Sequence, residues 1–552
     1  MNDLLRKNKA GIILALLLIV ADCNLRGQDT PYNYFYRVYF SDKGNNHPAN
    51  YLPSELLSEK ALYRRAKSGI PVPDYSDIPV SFEYLSTIKS LGFEFHCTSK
   101  WMNTALFKTQ EEKSADILLN LPFVSDVKVV KKPGSKSIHY DKLDFIVESD
   151  DTSISDSHII MLNGSSLHSS GYNGSGILIA VLDGGFLNAD QISSLVNLRG
   201  RKGIKYTYDF VKNNPFVFDY HVHGTAVLSV LAGQIDGYLR GTAPGADYLL
   251  LRTEDTESET AAEEDFWIAG AEFADSTGAD IISSSLGYYN FDDPSCNYTF
   301  SDLDGNTTFI TRAADIAASK GILVVNSAGN ERNKEWLRII APSDGDSVIA
   351  AGAVGSNEII STFSSAGPSA DGRIKPDNVA LGVSVFVQTS TTGIEKASGT
   401  SFSCPVLSGM TACLMQAVPE AVNSDIITAL RSSADRYLFP DSLYGYGIPD
   451  LVNALSTLQD IYLKKPLNKS IAKPNPTTGD VEIIFKEPPG KITVEIFTLS
   501  GKIIFRKDYK DFAGRNLVIS ALNKRQQGLY FIRLISGTDI SLHKIIKLPG
   551  ND

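Results

Sequence analysis

The sequence predicts an α/β protein. Its middle portion, residues 165–458, reads as a mostly parallel sheet between helices, preceded by a small α+β domain and followed by a small β-sandwich. Three observations carry this. Short unbroken apolar runs recur through the middle, at Ile177–Leu182, Tyr248–Leu251, Ile281–Ile282, Ile322–Val325 and Val348–Val354, with helical patterns between them. Such runs suit strands covered on both faces. Several end in polar, glycine-flanked clusters, namely Asp183-Gly184-Gly185, Ser283-Ser284-Ser285-Leu286-Gly287 and Ala328-Gly329-Asn330. In open α/β sheets, sites lie beyond the carboxyl ends of strands. Finally, the last eighty or so residues are almost all strand-like, with turn signals such as Pro488-Pro489-Gly490 and Ser536-Gly537 between short runs.

The elements follow in order. Arg6, Lys7 and Lys9 precede the apolar run Ala10–Ala21, the pattern of a secretory signal over residues 1–27. The run is short for a bilayer span. Asp22 before Cys23 argues against a lipid anchor. A first folded unit then alternates strand and helix: a strand at Tyr34–Phe40, helical patterns through Leu56–Arg65 and Ser81–Leu91, two strands within Phe93–Lys108, a helix at Glu111–Leu121 and a strand at Val124–Lys131. Residues 135–164 include a Ser-, Asp- and Lys-rich stretch, an exposed linker of the kind that proteases nick. After the α/β portion, Lys464-Lys465-Pro466 and Lys473-Pro474-Asn475-Pro476 mark a second linker, 459–473. The tail, 474–552, shows strands at Val481–Phe485, Ile492–Phe497, Lys502–Phe505, Leu517–Ile519, Leu529–Leu534 and Leu542–Ile546.

Composition narrows the function. The chain has 552 residues, 43% hydrophobic and 21% charged, with a net charge of −11 that argues against a nucleic-acid partner. Its five cysteines show neither metal-ligand spacing nor a disulfide framework, and Cys404 and Cys413 read as small buried hydrophobes.

Chemistry centres on Gly399-Thr400-Ser401-Phe402-Ser403-Cys404-Pro405, which opens a run of small and apolar residues with helical spacing. Ser401 would then sit at the first turn of a buried helix, where unpaired N–H groups and the helix dipole favour an oxyanion. Pro405 is expected within about the first turn. Read alone, the stretch is equally a glycine–serine cap on a core helix. His223, in His221-Val222-His223-Gly224-Thr225, opens another helical run, with His221 as its competitor. A serine that transfers acyl groups needs a base, a carboxylate to orient that base, and oxyanion donors. Asp183, His223, Asn330 and Ser401 supply one candidate for each role.

Residues 165–458 resemble the subtilisin-like serine proteases, or subtilases. The resemblance rests on Val181-Leu182-Asp183-Gly184-Gly185, His223-Gly224-Thr225, Gly241-Thr242-Ala243-Pro244, Ser285-Leu286-Gly287, Ala328-Gly329-Asn330, Phe363–Pro368 with Arg373–Asp377, Gly399-Thr400-Ser401 and Tyr444–Gly447, in that order. It implies a catalytic triad of Asp183, His223 and Ser401, an oxyanion donor in Asn330, and a peptide-binding strand in Ser285, Leu286 and Gly287. The loop from Glu331 to Ala341, with Arg332, Lys334, Trp336 and Ile340, would line the specificity pocket. Gly184, Ala226, Phe402, Ser403 and Cys404 depart from the family's usual residues without removing a catalytic group.

Residues 28–134 resemble the propeptide of secreted subtilases by position and size, which implies an inhibitor domain. Residues 474–552 resemble the sorting domain of the Bacteroidetes type IX secretion system, through Pro474–Gly479, Leu499–Lys502, Gly528–Phe531 and Lys544–Lys547. The expectation is a secreted serine endopeptidase made as a zymogen and acting as a monomer. It would be released or held at the outer-membrane surface, with protein substrates, its own propeptide and the secretion machinery as partners. The alternatives are a binding or adhesion protein on an inactive subtilase scaffold, and an esterase using the same triad. No cofactor is required. Calcium sites are common in the family, but no ligand run is assigned here and no metal ligands are expected at the site.

Overall fold

A computed structural model of the chain describes residues 34–133, 143, 145–148, 156–391, 393–464, 470–485, 487–498, 502–536 and 539–549. The expected signal segment with Cys23, and most of the first linker, lie outside these residues. The chain divides into two compact units, meeting between Leu458 and Gln459.

The first unit opens with a small antiparallel sheet. Its strands are β1 (Tyr34–Phe40), β2 (Glu94–Ser99), β3 (Thr104–Thr109) and β4 (Val124–Lys131), in the order β2-β3-β1-β4. Helices α1 (Glu59–Lys67) and α2 (Phe82–Ser90) lie between β1 and β2. Tyr36, Val38, Phe93, Phe107 and Leu118 form a core of their own. The helix expected over Glu111–Leu121 shrinks to Asp116–Leu119. The Lys113 backbone is committed elsewhere: its N–H donates to Tyr36 Oη (2.8 Å) and its carbonyl accepts from the same hydroxyl (3.0 Å).

The larger sheet follows. Strand β5 (Ile146–Glu148) belongs to a separate ribbon. Next come β6 (Leu178–Asp183), β7 (Ile204–Asp209), helix α3 (His223–Ala232), β8 (Asp247–Arg252), helix α4 (Ala262–Thr277), β9 (Ile281–Ser284), helix α5 (Phe309–Ser319), β10 (Leu323–Ser327), β11 (Val348–Val354) and β12 (Asn378–Leu381). The seven strands run parallel in the order β12-β11-β10-β9-β6-β8-β7. Every residue of β6, β9, β10 and β11 is buried, as the unbroken runs require. The sequence reading missed both edge strands: β7 exposes Lys205 and Tyr206, and β12 is only four residues long.

Beyond β12 the chain forms β13 (Val385–Ser390) and β14 (Gly393–Ser398), then helix α6 (Thr400–Ala417), buried along nearly its whole length. Pro405 sits past the first turn, deeper than expected. Its missing N–H leaves the Ser401 carbonyl without a helical partner, and the Ser285 hydroxyl donates to that oxygen instead, at 2.9 Å.

The second unit packs two sheets around Val481, Ile483, Val494, Ile496, Ile532 and Ile545. One sheet is β15 (Ser470–Lys473), β16 (Val481–Phe485) and β19 (Asn516–Ile519). The other is β18 (Ile503–Phe512), β17 (Gly490–Thr498), β20 (Gly528–Ser536) and β21 (Asp539–Lys547). Residues 470–473, read as linker, are therefore a strand, and a helix at Leu451–Lys464 extends past 458. Among the described residues, no helix is long and apolar enough to cross a membrane.

Candidate active site

Asp183 ends the central strand β6 and is fully buried. Its carboxylate accepts the Gly184 N–H at 2.8 Å and the His223 Nδ1–H at 2.8 and 3.0 Å. His223 is the first residue of α3. The two elements approach this closely because residue 224 has no side chain: a Cβ on Gly224 would lie 2.4 Å from the Gly185 carbonyl and 3.0 Å from Asp183 Cβ. His221 is not a second base at this carboxylate. Its Nδ1 accepts the His223 backbone N–H, at 3.1 Å.

Ser401 lies in the first turn of α6, 9% exposed among buried neighbours. Asn330 follows the end of β10. Its Oδ1 accepts the Thr400 N–H and the Thr400 hydroxyl, both at 2.9 Å. That fixes the amide so that Nδ2, which has no partner among the described residues, is the end left to donate. Thr400 also accepts the Gly329 N–H, at 3.2 Å. It is the positioning residue that sequence reasoning missed, though it stands inside the serine motif. Cys404 points away into the core, donating to the carbonyls of Ser284 and Val325 at 3.4 Å. Burial pushes its thiol up to about 11, so it stays protonated and inert.

His223 meets the serine turn through Phe402, whose ring centroid lies 6.2 Å from the imidazole. Among the described residues no hydrogen bond joins Ser401 Oγ to His223. The chain's own linker lies here. Phe145 packs edge-on against His223 (5.8 Å) and Phe402 (5.3 Å). Strand β5 pairs antiparallel with β14, the strand that leads into Ser401. Leu143 packs against Gly184, where a Cβ would lie 2.3 Å from its Cδ1. Hydrophobic patterning gave no sign of this strand, because a three-residue strand exists only through its pairing.

Of the loop expected to line a pocket, most side chains face elsewhere. Trp336 stacks on Tyr289 at 4.5 Å. Arg332 donates to the carbonyls of Ser361 and Thr362, and Lys334 pairs with Glu331. Ile340 alone turns toward Gly287 and Gly329. The carboxylates of Glu254, Glu259 and Glu263 lie within 4.8 Å of one another, the single metal-sized group among the described residues. Glu263 already accepts the Asp255 and Thr260 N–H groups, and Glu254 the Tyr288 hydroxyl.

Comparison with known proteins fits this geometry. Residues 174–447 match the model of the subtilase family. Subtilisin E of Bacillus subtilis is 30% identical over 293 residues, covering 52% of this chain and 68% of its own. A subtilisin of Bacillus pumilus is 30% identical over the same share of this chain and 94% of its own.

The chain belongs to the subtilase family.

It is a subtilisin-like serine endopeptidase, and two flanking matches complete its architecture. Residues 35–142 match the Bacteroidota propeptide domain of this peptidase family, and residues 473–548 a secretion-system C-terminal sorting domain. The subtilase is therefore built as a secreted zymogen. The solved structure of the prenylagaramide maturation protease PagA is also similar, at 22% identity with a TM-score of 0.43, covering 53% of this chain and 98% of its own.

The propeptide domain docks on α4 through buried charges. Arg37 on β1 donates to Asp265 (2.6 to 3.0 Å) and Glu264 (3.3 Å). Arg64 and Arg65 on α1 pair with Asp275, the second at 2.7 Å. Glu272 accepts the Lys100 and Trp101 N–H groups and the Ser99 hydroxyl. His96 donates its Nε2–H to the Phe210 carbonyl (2.9 Å) between the rings of Phe35 and Phe266.

Proposed function

We propose that this subtilase hydrolyses peptide bonds through an acyl-enzyme formed on Ser401. His223 takes the Ser401 proton as the hydroxyl attacks the scissile carbonyl, then gives it to the leaving amine. Asp183 holds the Nδ1–H, so that the other ring nitrogen faces the nucleophile, and balances the imidazolium that forms. Asn330 Nδ2 and the Ser401 N–H stabilise the oxyanion. Water activated by His223 then releases the acyl group. Substrate lies along Ser285, Leu286 and Gly287 as an added strand. No metal is required for these steps.

The observation that carries this reading is the pairing of a buried Asp183–His223 hydrogen bond with an Asn330 amide locked by Thr400 beside the Ser401 helix end. Phe145 against His223 and Phe402, with β5 paired to the strand that leads into Ser401, supports a self-blocked precursor whose linker is its own first substrate. The enzyme acts as a monomer outside the cell or at its surface, where the sorting domain delivers it.

A serine-directed fluorophosphonate tests the proposal. The processed wild type is expected to label and to cleave casein, and Ser401→Ala to do neither and to accumulate as precursor. Processed wild type that does not label would sink the mechanism and favour a binding protein on a dead scaffold. Normal processing of Ser401→Ala would assign maturation to another protease. N-terminal sequencing is expected to place the new end close to Phe145.

A further inference from the structure

Two glycines face one isoleucine across the crevice beside Asn330. Gly287 follows β9 and Gly329 follows β10, so the crevice lies between the carboxyl ends of two neighbouring strands. A Cβ on Gly287 would lie 2.5 Å from both Cγ1 and Cδ1 of Ile340. One on Gly329 would lie 3.0 and 3.1 Å from the same atoms. The Ile340 side chain therefore fills the space that these glycines leave open.

Its backbone is held on every side. The Ile340 N–H donates to the Ala328 carbonyl at 3.3 Å. Ile339 donates to Ala366 at 3.0 Å, and Ala341 exchanges two backbone bonds with Tyr288, at 2.8 and 3.1 Å. With 8% exposure and this anchoring, the side chain is a fixed floor.

Consider a peptide whose scissile carbonyl carbon meets Ser401 Oγ and whose oxygen meets Asn330 Nδ2. The side chain of that residue enters the gap between Ser285–Gly287 and Ala328–Asn330. We propose that Ile340 limits this gap to short side chains, so that the protease cleaves after Gly, Ala or Ser and rejects aromatic and long aliphatic residues there. The inference rests on the proposed function and adds its specificity. In an apolar pocket even one surplus methylene is worth roughly 10–200-fold in discrimination, and a phenyl ring carries several carbons too many.

The test uses the processed full-length enzyme and two peptides that differ only in Ala or Phe before the cut. The wild type is expected to favour Ala by at least about tenfold in kcat/KM. Ile340→Ala is expected to narrow that ratio by about tenfold or more, and the milder Ile340→Val, which keeps most of the packing, to narrow it by less. A wild type that prefers Phe, or two variants with unchanged ratios, overturns the inference. Fluorophosphonate labelling of the same samples separates the failures. An unlabelled wild type overturns the function itself, whereas a labelled wild type without the preference overturns only the role of Ile340.

Discussion

Buried carboxylates meet cationic or protonatable partners in two places, and the two are built differently. In the cleft, Asp183 holds one imidazole and one backbone N–H. Under the propeptide, Asp265, Glu264 and Asp275 are met by three arginines, with Asp77 sharing Arg65. A pair that must pass a proton keeps its partner titratable. A contact that must hold until cleavage and then part uses guanidinium groups, which stay charged throughout. Once the propeptide leaves, the carboxylates of α4 return to water, so the charge that docks the domain also keeps the bared surface soluble. An apolar interface would have left a sticky patch.

Breaking the first arrangement should cost most. Asp183→Asn keeps the shape but disturbs the imidazole tautomer, and kcat is expected to fall by about 10⁴, read in single-turnover acylation. Losing the oxyanion amide in Asn330→Ala is expected to lower kcat by about 10²–10³, the size seen when a subtilisin loses its asparagine, with little change in KM. At the second arrangement, Arg37→Met leaves Asp265 buried without its guanidinium on docking, and Glu264 with only the Tyr298 hydroxyl. A broken buried pair costs about 3–5 kcal/mol, so separately added propeptide should inhibit roughly 10²–10⁴-fold less tightly. Unchanged inhibition would mean that these charges do not hold the domain.

Within a unit of neutral pH, the smallest expected effect is a slope with pH. Burial, with Lys108, Lys131 and Lys212 nearby, pushes His96 down to about 3 in the docked domain. The released domain regains an ordinary imidazole near 6.5. Below that pH the free form binds a proton that the docked form refuses, so docking weakens as pH falls from about 6.5 toward 3, by up to about tenfold per unit. Burial holds Asp265 and Glu264 above the usual carboxylate range, and their protonation acts in the opposite sense. Comparing wild type with His96→Gln isolates the imidazole, and identical slopes would remove it from the account.

What the sequence made legible follows from the physics. The central strands β6, β9, β10 and β11 are buried on both faces and wrote themselves as apolar runs, while β7 at the edge kept Lys205 and Tyr206 in solvent and left no such run. The candidate site residues could be picked out because Asp183, Asn330 and Ser401 stand at element ends with small neighbours. Thr400 was passed over because a hydroxyl beside a nucleophile looks like ordinary capping. Arg37 and His96 gave no signal, since their partners lie more than a hundred residues away in sequence. Ile340 was one of several loop candidates until the backbone bonds to Ala328 and Tyr288 fixed which of them turned inward.

The proline at 405 has a consequence for anyone who recombines such enzymes. By withholding its N–H it hands the Ser401 carbonyl to the Ser285 hydroxyl, so the segment proposed to bind a peptide and the turn proposed to attack it share one bond. A chimera that swaps the segment around 285 without the one around 401–405 would break that link while leaving every motif intact. Positions 285, 401 and 405 are a single cassette, and crossover points between related genes should be placed outside it.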